Sequence, residues 1–574
     1  MKKYTVVEVA MEIALDPKIL EGIESRMGLY AAVRAAMSTS VGGIGPLLRE
    51  RIIAQADLGV NVIGVSLLYD KVWLQKWHFW GQFYLERTDS AAYIRPLLKK
   101  LDKTITVKMF DGSEIDVDIW EAEYGRGKVY FLDAPEIGNI VYPSSEDAPV
   151  DAKDAGKWAS EARMKQSWLL GRGTLELLKK LKISPDITIL SETPTLFAYH
   201  DLVSDGLDKE DLFKNTKYIF NDHTPLEYAH PVWSEKLAET LKIKSKHYKS
   251  LESYKSDSNK IDITQLLINA LDGVYGVSKI HGDVMREMHT LKSYAGKIEY
   301  ITNGVSRDIW QAEGLRDFAK MNDKELLSAK QAEKEKLVDW LWQRYKFNSQ
   351  WRETKKHTPL VMWMRRVVGY KRLDLMKQIV SRQDLLPRFL NLNITMLLGG
   401  RIHQNDAQSD WIVFELLDII QKYPELEDRI ILLDNFNVWE APKIYRGVDG
   451  AVMVSDANRE ASATGFMKAQ MNGATILATY DGAVPESVFF FGKEPIKSQP
   501  NGFFVDYWNG SPTPEGLLCA LEGFKKIYDD TPLRMKAIRS ALTQTKQVDV
   551  MRASKEMLSF YDKLSDGVKV SNMR

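Results

Sequence analysis

The sequence predicts an α/β protein made of two doubly wound, Rossmann-like domains. Short continuous apolar runs of strand length recur along the chain, the pattern of parallel strands covered on both faces. Segments of helical period separate them, as in Trp168–Leu181 and Asp323–Tyr345. The 574 residues also exceed what one hydrophobic core usually organises.

In chain order, buried strands are predicted at Val60–Leu68, Val129–Leu132 and Ile187–Leu190. They resume at Pro359–Met364, Ile394–Leu398, Ile430–Leu433, Ala451–Val454 and Thr475–Thr479. A strongly charged helical stretch, Asn322–Lys356, interrupts the rhythm before it restarts. Two sheets facing a cleft fit this better than one sheet of a dozen strands. The expected domains are 1–302 and 303–574, with the helical segment from Pro512 able to pack back across the seam. No repeat of solenoid length and no low-complexity tract interrupts this order.

Composition narrows the function classes. Lys and Arg total 78, as do Asp and Glu, so there is no cationic surplus of the kind a nucleic-acid binder needs. The single cysteine, Cys519, excludes an intramolecular disulfide and any Cys-cluster metal site; no metal is expected. Glu8 and Glu12 break the apolar start, which therefore does not read as a signal peptide. No apolar run has the length of a membrane span, and a cytoplasmic protein is expected. The 15 tryptophans, with Trp73, Trp77 and Trp80 crowded around His78, suit core and seam packing or a platform for sugar rings.

Three segments carry candidate chemistry. The first is S-V-G-G-I-G-P, Ser40–Pro46, where glycines let backbone N–H groups approach an anion ahead of a helix; a plain tight turn is the alternative. The second is M-W-M-R-R-V-V-G-Y-K-R, ending at Arg372. It sets Arg365, Arg366, Lys371 and Arg372 just beyond a predicted strand, where ligands of open α/β sheets bind. Arginine forks suit phosphate oxygens, although a solvated helix start would read the same way. The third is R-E-A-S-A-T-G-F-M-K-A-Q-M-N-G-A, Arg459–Ala474. Ser462, Thr464 and Gly465 offer donors at a helix start, and Lys468 lies one turn on. Such a lysine is either a desolvated, reactive amine or a surface residue.

This third segment resembles the pyridoxal-phosphate-lysine motif E-A-S-G-T-x-x-M-K of the glycogen/starch (α-glucan) phosphorylases, matching at Glu460, Ala461, Ser462, Thr464, Met467 and Lys468. N-G-A at Asn472 and D-G-A with Glu486 continue the likeness. V-E-V-A-M-E-I-A-L at the start, S-V-G-G-I-G, N-D-H-T at Asn221, G-V-S-K-I-H at Gly276, T-N-G-V-S-R-D-I-W at Thr302 and R-R-V-V-G-Y-K-R each resemble family motifs, in order. The likeness runs from about Val6 to about Val505.

The resemblance implies the GT-B fold, with a glucan- and phosphate-loop domain at 1–302 and a pyridoxal-phosphate domain at 303–574. It implies reversible phosphorolysis of the non-reducing-end α-1,4 bond of glycogen, starch or maltodextrin, giving α-glucose 1-phosphate with retention. By the same resemblance Lys468 would hold pyridoxal 5′-phosphate, with Thr464, Gly465 and Arg365 at the cofactor and Gly43 and Ile44 in the loop over the phosphates. Arg366 and Lys371 would hold orthophosphate, and His223 would act at the sugar. Glu460, Asn303, Ser462 and Ala463 would line the substrate side. A homodimer is expected, and nucleotide or phosphorylation control from an N-terminal extension is not.

The chain departs from the family pattern at Ala463 (glycine in the family), Phe466, Phe436 and Val368–Gly369, and only Glu192 stands for the acidic-histidine stretch. A nucleotide-sugar glycosyltransferase of the same fold would explain the glycine loop, Arg366 and Lys371 through a diphosphate but gives Lys468 no role. A non-catalytic glucan binder would leave the cationic cluster without a ligand.

Overall fold

The computed structural model describes residues 4–77, 83–138, 140–226, 230, 232–234, 260–268, 271–402, 407–492 and 499–566. It divides into two compact units: unit 1 is Met1–Trp73, Arg87–Thr302 and Ala553–Arg574, and unit 2 is Leu74–Glu86 and Asn303–Arg552. The simple division into 1–302 and 303–574 therefore changes in two places. The helix Val550–Ser565 starts in unit 2, but its later turns pack into unit 1. There Tyr561 meets Tyr4 edge-on at 5.9 Å and donates to Gln55 at 3.2 Å. In the other direction, the backbone N–H and carbonyl of Gln75 both bond the Asn435 side chain of unit 2, at 2.7 and 2.8 Å. His78 and Trp80 lie outside the described residues.

In unit 1 the main sheet holds β1 (Thr5–Val9), β2 (Asn61–Leu67), β3 (Lys99–Lys108), β4 (Glu114–Tyr124), β5 (Gly127–Asp133), β6 (Ile187–Ser191), β7 (Lys217–Asn221), β8 (Gly273–Gly276) and β9 (Ile298–Tyr300). Their order is β9-β8-β7-β6-β1-β2-β5-β4-β3. From β9 to β5 all pairs are parallel, as continuous runs such as V-I-G-V-S-L require. The edge differs from a purely doubly wound sheet, because β4 and β3 are antiparallel additions to β5. In β3 the buried Ile105 and Val107 alternate with exposed Thr104, Thr106 and Lys108, the signature of a strand with one wet face. The helices Ile44–Asp57 and Ala155–Leu181 bury apolar residues against this sheet.

Unit 2 contains β10 (Leu360–Met364), β11 (Thr395–Gly399), β12 (Ile430–Leu433), β13 (Gly450–Met453), β14 (Thr475–Ala478) and β15 (Gly502–Phe504). All neighbours are parallel, in the order β12-β11-β10-β13-β14-β15. This 3-2-1-4-5-6 arrangement reverses direction between β10 and β13, where such sheets bind ligands off their strand ends. The helix Asp323–Tyr345 begins with a capping box between Asn322 and Glu325. It buries Leu326, Leu337, Val338 and Leu341 on one face. No helix among the described residues is long and apolar enough to cross a membrane.

Candidate active site

The residues singled out by sequence fall into one group per unit. In unit 2 they gather off the ends of β10 and β13. Arg365 follows β10, and its N–H bonds the Gly399 carbonyl at 3.0 Å. Gly400 must be glycine, because a Cβ there would sit 1.4 Å from the Arg365 carbonyl oxygen. The Arg365 guanidinium donates to Glu460 and to the Val454 carbonyl. Lys371 reaches the same carboxylate at 3.0 Å. Arg366 is exposed beside them, and its charge acts on both Lys371 and Glu460.

The electrostatics of this group are mutual. Burial alone would raise the Glu460 carboxyl, but the Lys371 and Arg365 charges overcome it and hold it down at about 2. Burial and the adjacent Arg365 push the Lys371 ammonium down to about 7 against the pull of Glu460. The group is thus an ionised carboxylate shared by two cations, with Lys371 poised near neutrality.

Sequence reasoning missed the residue that holds this loop. Asp481 accepts from the N–H groups of Arg459 and Glu460 at 3.0 and 2.9 Å, from Ser455 Oγ at 3.0 Å and from the Gly482 N–H at 2.8 Å. Burial and the nearby Glu460 charge raise its carboxyl to about 6. The only signal was its place in the D-G-A motif, which marks a family position without showing what it holds.

Between Glu460 and Lys468 the chain passes through Ala463 in the left-handed region, φ 63°, before the short helix Thr464–Gln470. The family's glycine at this position avoids that strain. Ala463→Gly should therefore stabilise the protein by about 0.5–1 kcal/mol, the left-handed penalty less the extra unfolded-state entropy of glycine; the shift in urea midpoint measures it. Gly465 packs tightly, since a Cβ there would lie 2.9 Å from Met453 Cε and 3.2 Å from Tyr445 Oη.

Lys468 is 7 % exposed. Its Nζ lies 4.0 Å above the Trp310 ring and 5.8 Å from the Tyr445 ring, and these two rings meet edge-on at 5.5 Å. Phe436 approaches Tyr445 at 6.5 Å. The surface-lysine alternative is therefore excluded. Burial raises the Tyr445 phenol, while the Arg365 charge acts in the opposite sense, so Tyr445 links the lysine pocket to the cationic group. Six residues earlier in the chain, Ser462 is 5 % exposed and its Oγ has no hydrogen-bond partner among the described residues. A buried amine in an aromatic wall, an unpartnered buried hydroxyl and adjoining cations suit a planar aromatic aldehyde bearing a phosphate. Asn303 is buried, and its backbone carbonyl accepts from the Arg552 guanidinium at 2.8 Å.

In unit 1, His223 follows β7 and is half-buried. Burial and the Arg51 charge push its imidazole down to about 3, so it is neutral at ordinary pH. Its Nε2 bonds Asn221 Oδ1 at 2.6 Å, and its backbone N–H donates to Glu192 at 3.0 Å. Burial and the Asp222 charge raise Glu192 to about 7. The glycine loop differs from the expectation of open amides. The buried Glu12 carboxylate accepts from the Val41 and Gly42 N–H groups at 2.6 and 3.2 Å, leaving Gly43 and Ile44, at the start of the following helix, as the candidates for a ligand. Among the described residues, no group of three or more His, Cys, Asp or Glu side chains could hold a metal ion.

Two separate stretches of the chain match known protein families. Residues 311–497 match the carbohydrate phosphorylase family, and residues 29–296 match the starch synthase catalytic domain. The chain is 24% identical over 510 residues to the maltodextrin phosphorylase of Thermococcus litoralis, an alignment covering 79% of this chain and 60% of that protein. It is 24% identical over 501 residues to the glycogen phosphorylase of Aquifex aeolicus, covering 77% and 71%. The chain thus spans about 60% of the length of the first of these relatives. The catalytic domain of starch synthase IV from Arabidopsis thaliana, bound to ADP and acarbose, superposes with a TM-score of 0.70 at 19% identity, covering 98% of this chain and 100% of that one.

The fold is GT-B. By sequence the chain is similar to maltodextrin and glycogen phosphorylases, and its residues 311–497 to the carbohydrate phosphorylase family.

Proposed function

We propose that the protein is a pyridoxal-phosphate-dependent α-1,4-glucan phosphorylase, cleaving a terminal glucose with orthophosphate to give α-glucose 1-phosphate. The observation that carries this reading is the buried Lys468 amine against Trp310, on the same short segment as the buried Ser462 hydroxyl and as Glu460, which pairs with Arg365 and Lys371. A nucleotide-sugar transferase has no use for such an amine.

Lys468 would hold the cofactor, with Thr464, Gly465 and Arg365 around its phosphate and Ser462 on the substrate side. When bound, pyridoxal phosphate supplies a phosphate able to exchange a proton with substrate orthophosphate. Arg366 and protonated Lys371 would hold the orthophosphate, and Glu460 would keep Lys371 aimed until the anion arrives. The orthophosphate proton passes to the departing glycosidic oxygen, and phosphate then attacks C1 on the same face. No glycosidase-type carboxylate pair is needed. His223 stays neutral, as a hydrogen-bonding partner of the sugar requires. Asn303 and Ala463 complete the substrate side, and Gly43 and Ile44 the loop.

The test is release of glucose 1-phosphate from maltooligosaccharides of graded length, with and without orthophosphate, run beside glucosyl transfer from ADP-glucose. Phosphate-dependent release is the expected result. Transfer from ADP-glucose without phosphorolysis would instead favour the second reading, a starch-synthase-like transferase, which the match over residues 29–296 supports.

A further inference from the structure

The loops after β10 and β13 have a second side. Lys371 points at Glu460, but its neighbours Tyr370 and Arg372, with Asp456 and Arg459 from the other loop, line a separate cavity of about 620 Å³. That size is ordinary for a small-ligand pocket, about 300–1,000 Å³. The helices Asp374–Ser381 and Ala407–Lys422 complete its wall.

The charges in this wall largely cancel. Arg372 forks onto Asp374 with both contacts at 3.0 Å and reaches Asp456 at 3.2 Å. Lys377 holds Glu415 at 2.7 Å, Gln378 donates to Asp374 at 2.7 Å and Ser511 to Asp456 at 2.7 Å. Arg459 is the one lining cation with no carboxylate partner among the described residues. Such a wall gives little net attraction to an ion but is dense in donors and acceptors fixed in place.

The same wall carries an aromatic face turned to water. Trp411 is 59% exposed and stacks at 5.4 Å, 25° between planes, on Phe414, itself 43% exposed. An amphipathic indole beside fixed polar groups suits a ring that is apolar on its faces and hydroxylated at its edge. A nucleotide base could also stack, but its phosphates would need more unpaired cations than Arg459 alone supplies.

We propose that this cavity is a saccharide-binding site separate from the Lys468 pocket, with a pyranose stacked on Trp411 and its hydroxyls bonded by Glu415, Asp456 and Arg459. The saccharide class follows from the cavity; its narrowing to α-1,4-glucan rests on the proposed activity.

Fluorine NMR of the full-length protein labelled with 5-fluorotryptophan tests this, the Trp411 resonance being assigned by its loss in Trp411→Phe. Maltotetraose should shift that resonance saturably, and ADP should not. By calorimetry, Trp411→Ala should weaken maltotetraose binding at one site by about tenfold, the scale of one lost aromatic stack, while Trp411→Phe keeps most of it. No movement with maltotetraose, or movement with ADP in its place, overturns the proposal. The readout needs no turnover: a Trp411 response without phosphorolysis would sink the proposed activity and leave this site standing, and phosphorolysis without a Trp411 response would do the reverse.

Discussion

Lys468→Ala is expected to abolish uptake of pyridoxal 5′-phosphate while leaving the protein folded. The lysine contributes cation–π contacts with Trp310 and Tyr445 to stability, worth roughly 1–2 kcal/mol in a desolvated setting, so circular dichroism should be unchanged and the melting temperature only modestly lower. Loss of the cofactor's near-ultraviolet absorbance reports the effect directly. In the unaltered protein, borohydride reduction followed by peptide mapping should leave the pyridoxyl label on Lys468. A label on any other lysine would refute the assignment.

Arg366→Ala and Lys371→Ala should each lower phosphorolysis by at least about a hundredfold, the scale of losing one preorganised charge stabiliser. Lys371 adds a pH signature. In the ligand-free protein its ammonium is pushed down to about 7, so below that pH it is charged and attracts an anion, and above it the attraction fades. Sulfate, whose charge is constant over this range, should therefore bind more weakly as pH rises through 7, by up to about tenfold per pH unit. In Lys371→Ala that slope should vanish. If both variants keep full activity with orthophosphate, the basic group is a surface feature and the phosphate assignment fails.

The parallel strands of both units were legible because burial on two faces writes an uninterrupted apolar run, as at Leu360–Met364 and Ile187–Ser191. The edge strands β3 and β4 were not. Their segments, such as K-K-L-D-K-T-I-T-V-K, alternate single buried residues with charged and hydroxyl ones, and that weak period is easily read as loop. The candidate site shows the same asymmetry. Lys468, Lys371 and Glu460 sit in compact motifs whose residue types announce anion chemistry. Their supports come from far along the chain: Trp310 stands 158 positions before the lysine it covers, and Asp481 lies 21 positions after Glu460. Only the chain path brings them together. The occupation of the Val41 and Gly42 amides by Glu12 was likewise hidden, because a glycine loop advertises open donors whether or not the protein fills them itself.

The docking of Tyr561 on Tyr4 and Gln55 has a consequence for how the chain is made. During synthesis the body of unit 1 leaves the ribosome first, yet the helical turns that complete it, from Ala553 on, are encoded after the whole of unit 2. At about 5–20 residues per second, the interval between Thr302 and Ser565 is of the order of tens of seconds. Unit 2 can close its sheet within that time, while the apolar surface of unit 1 that receives Phe560 and Tyr561 stays bare. Order of translation and order of completion are thereby reversed, and the first-made half of the protein is the last to be finished.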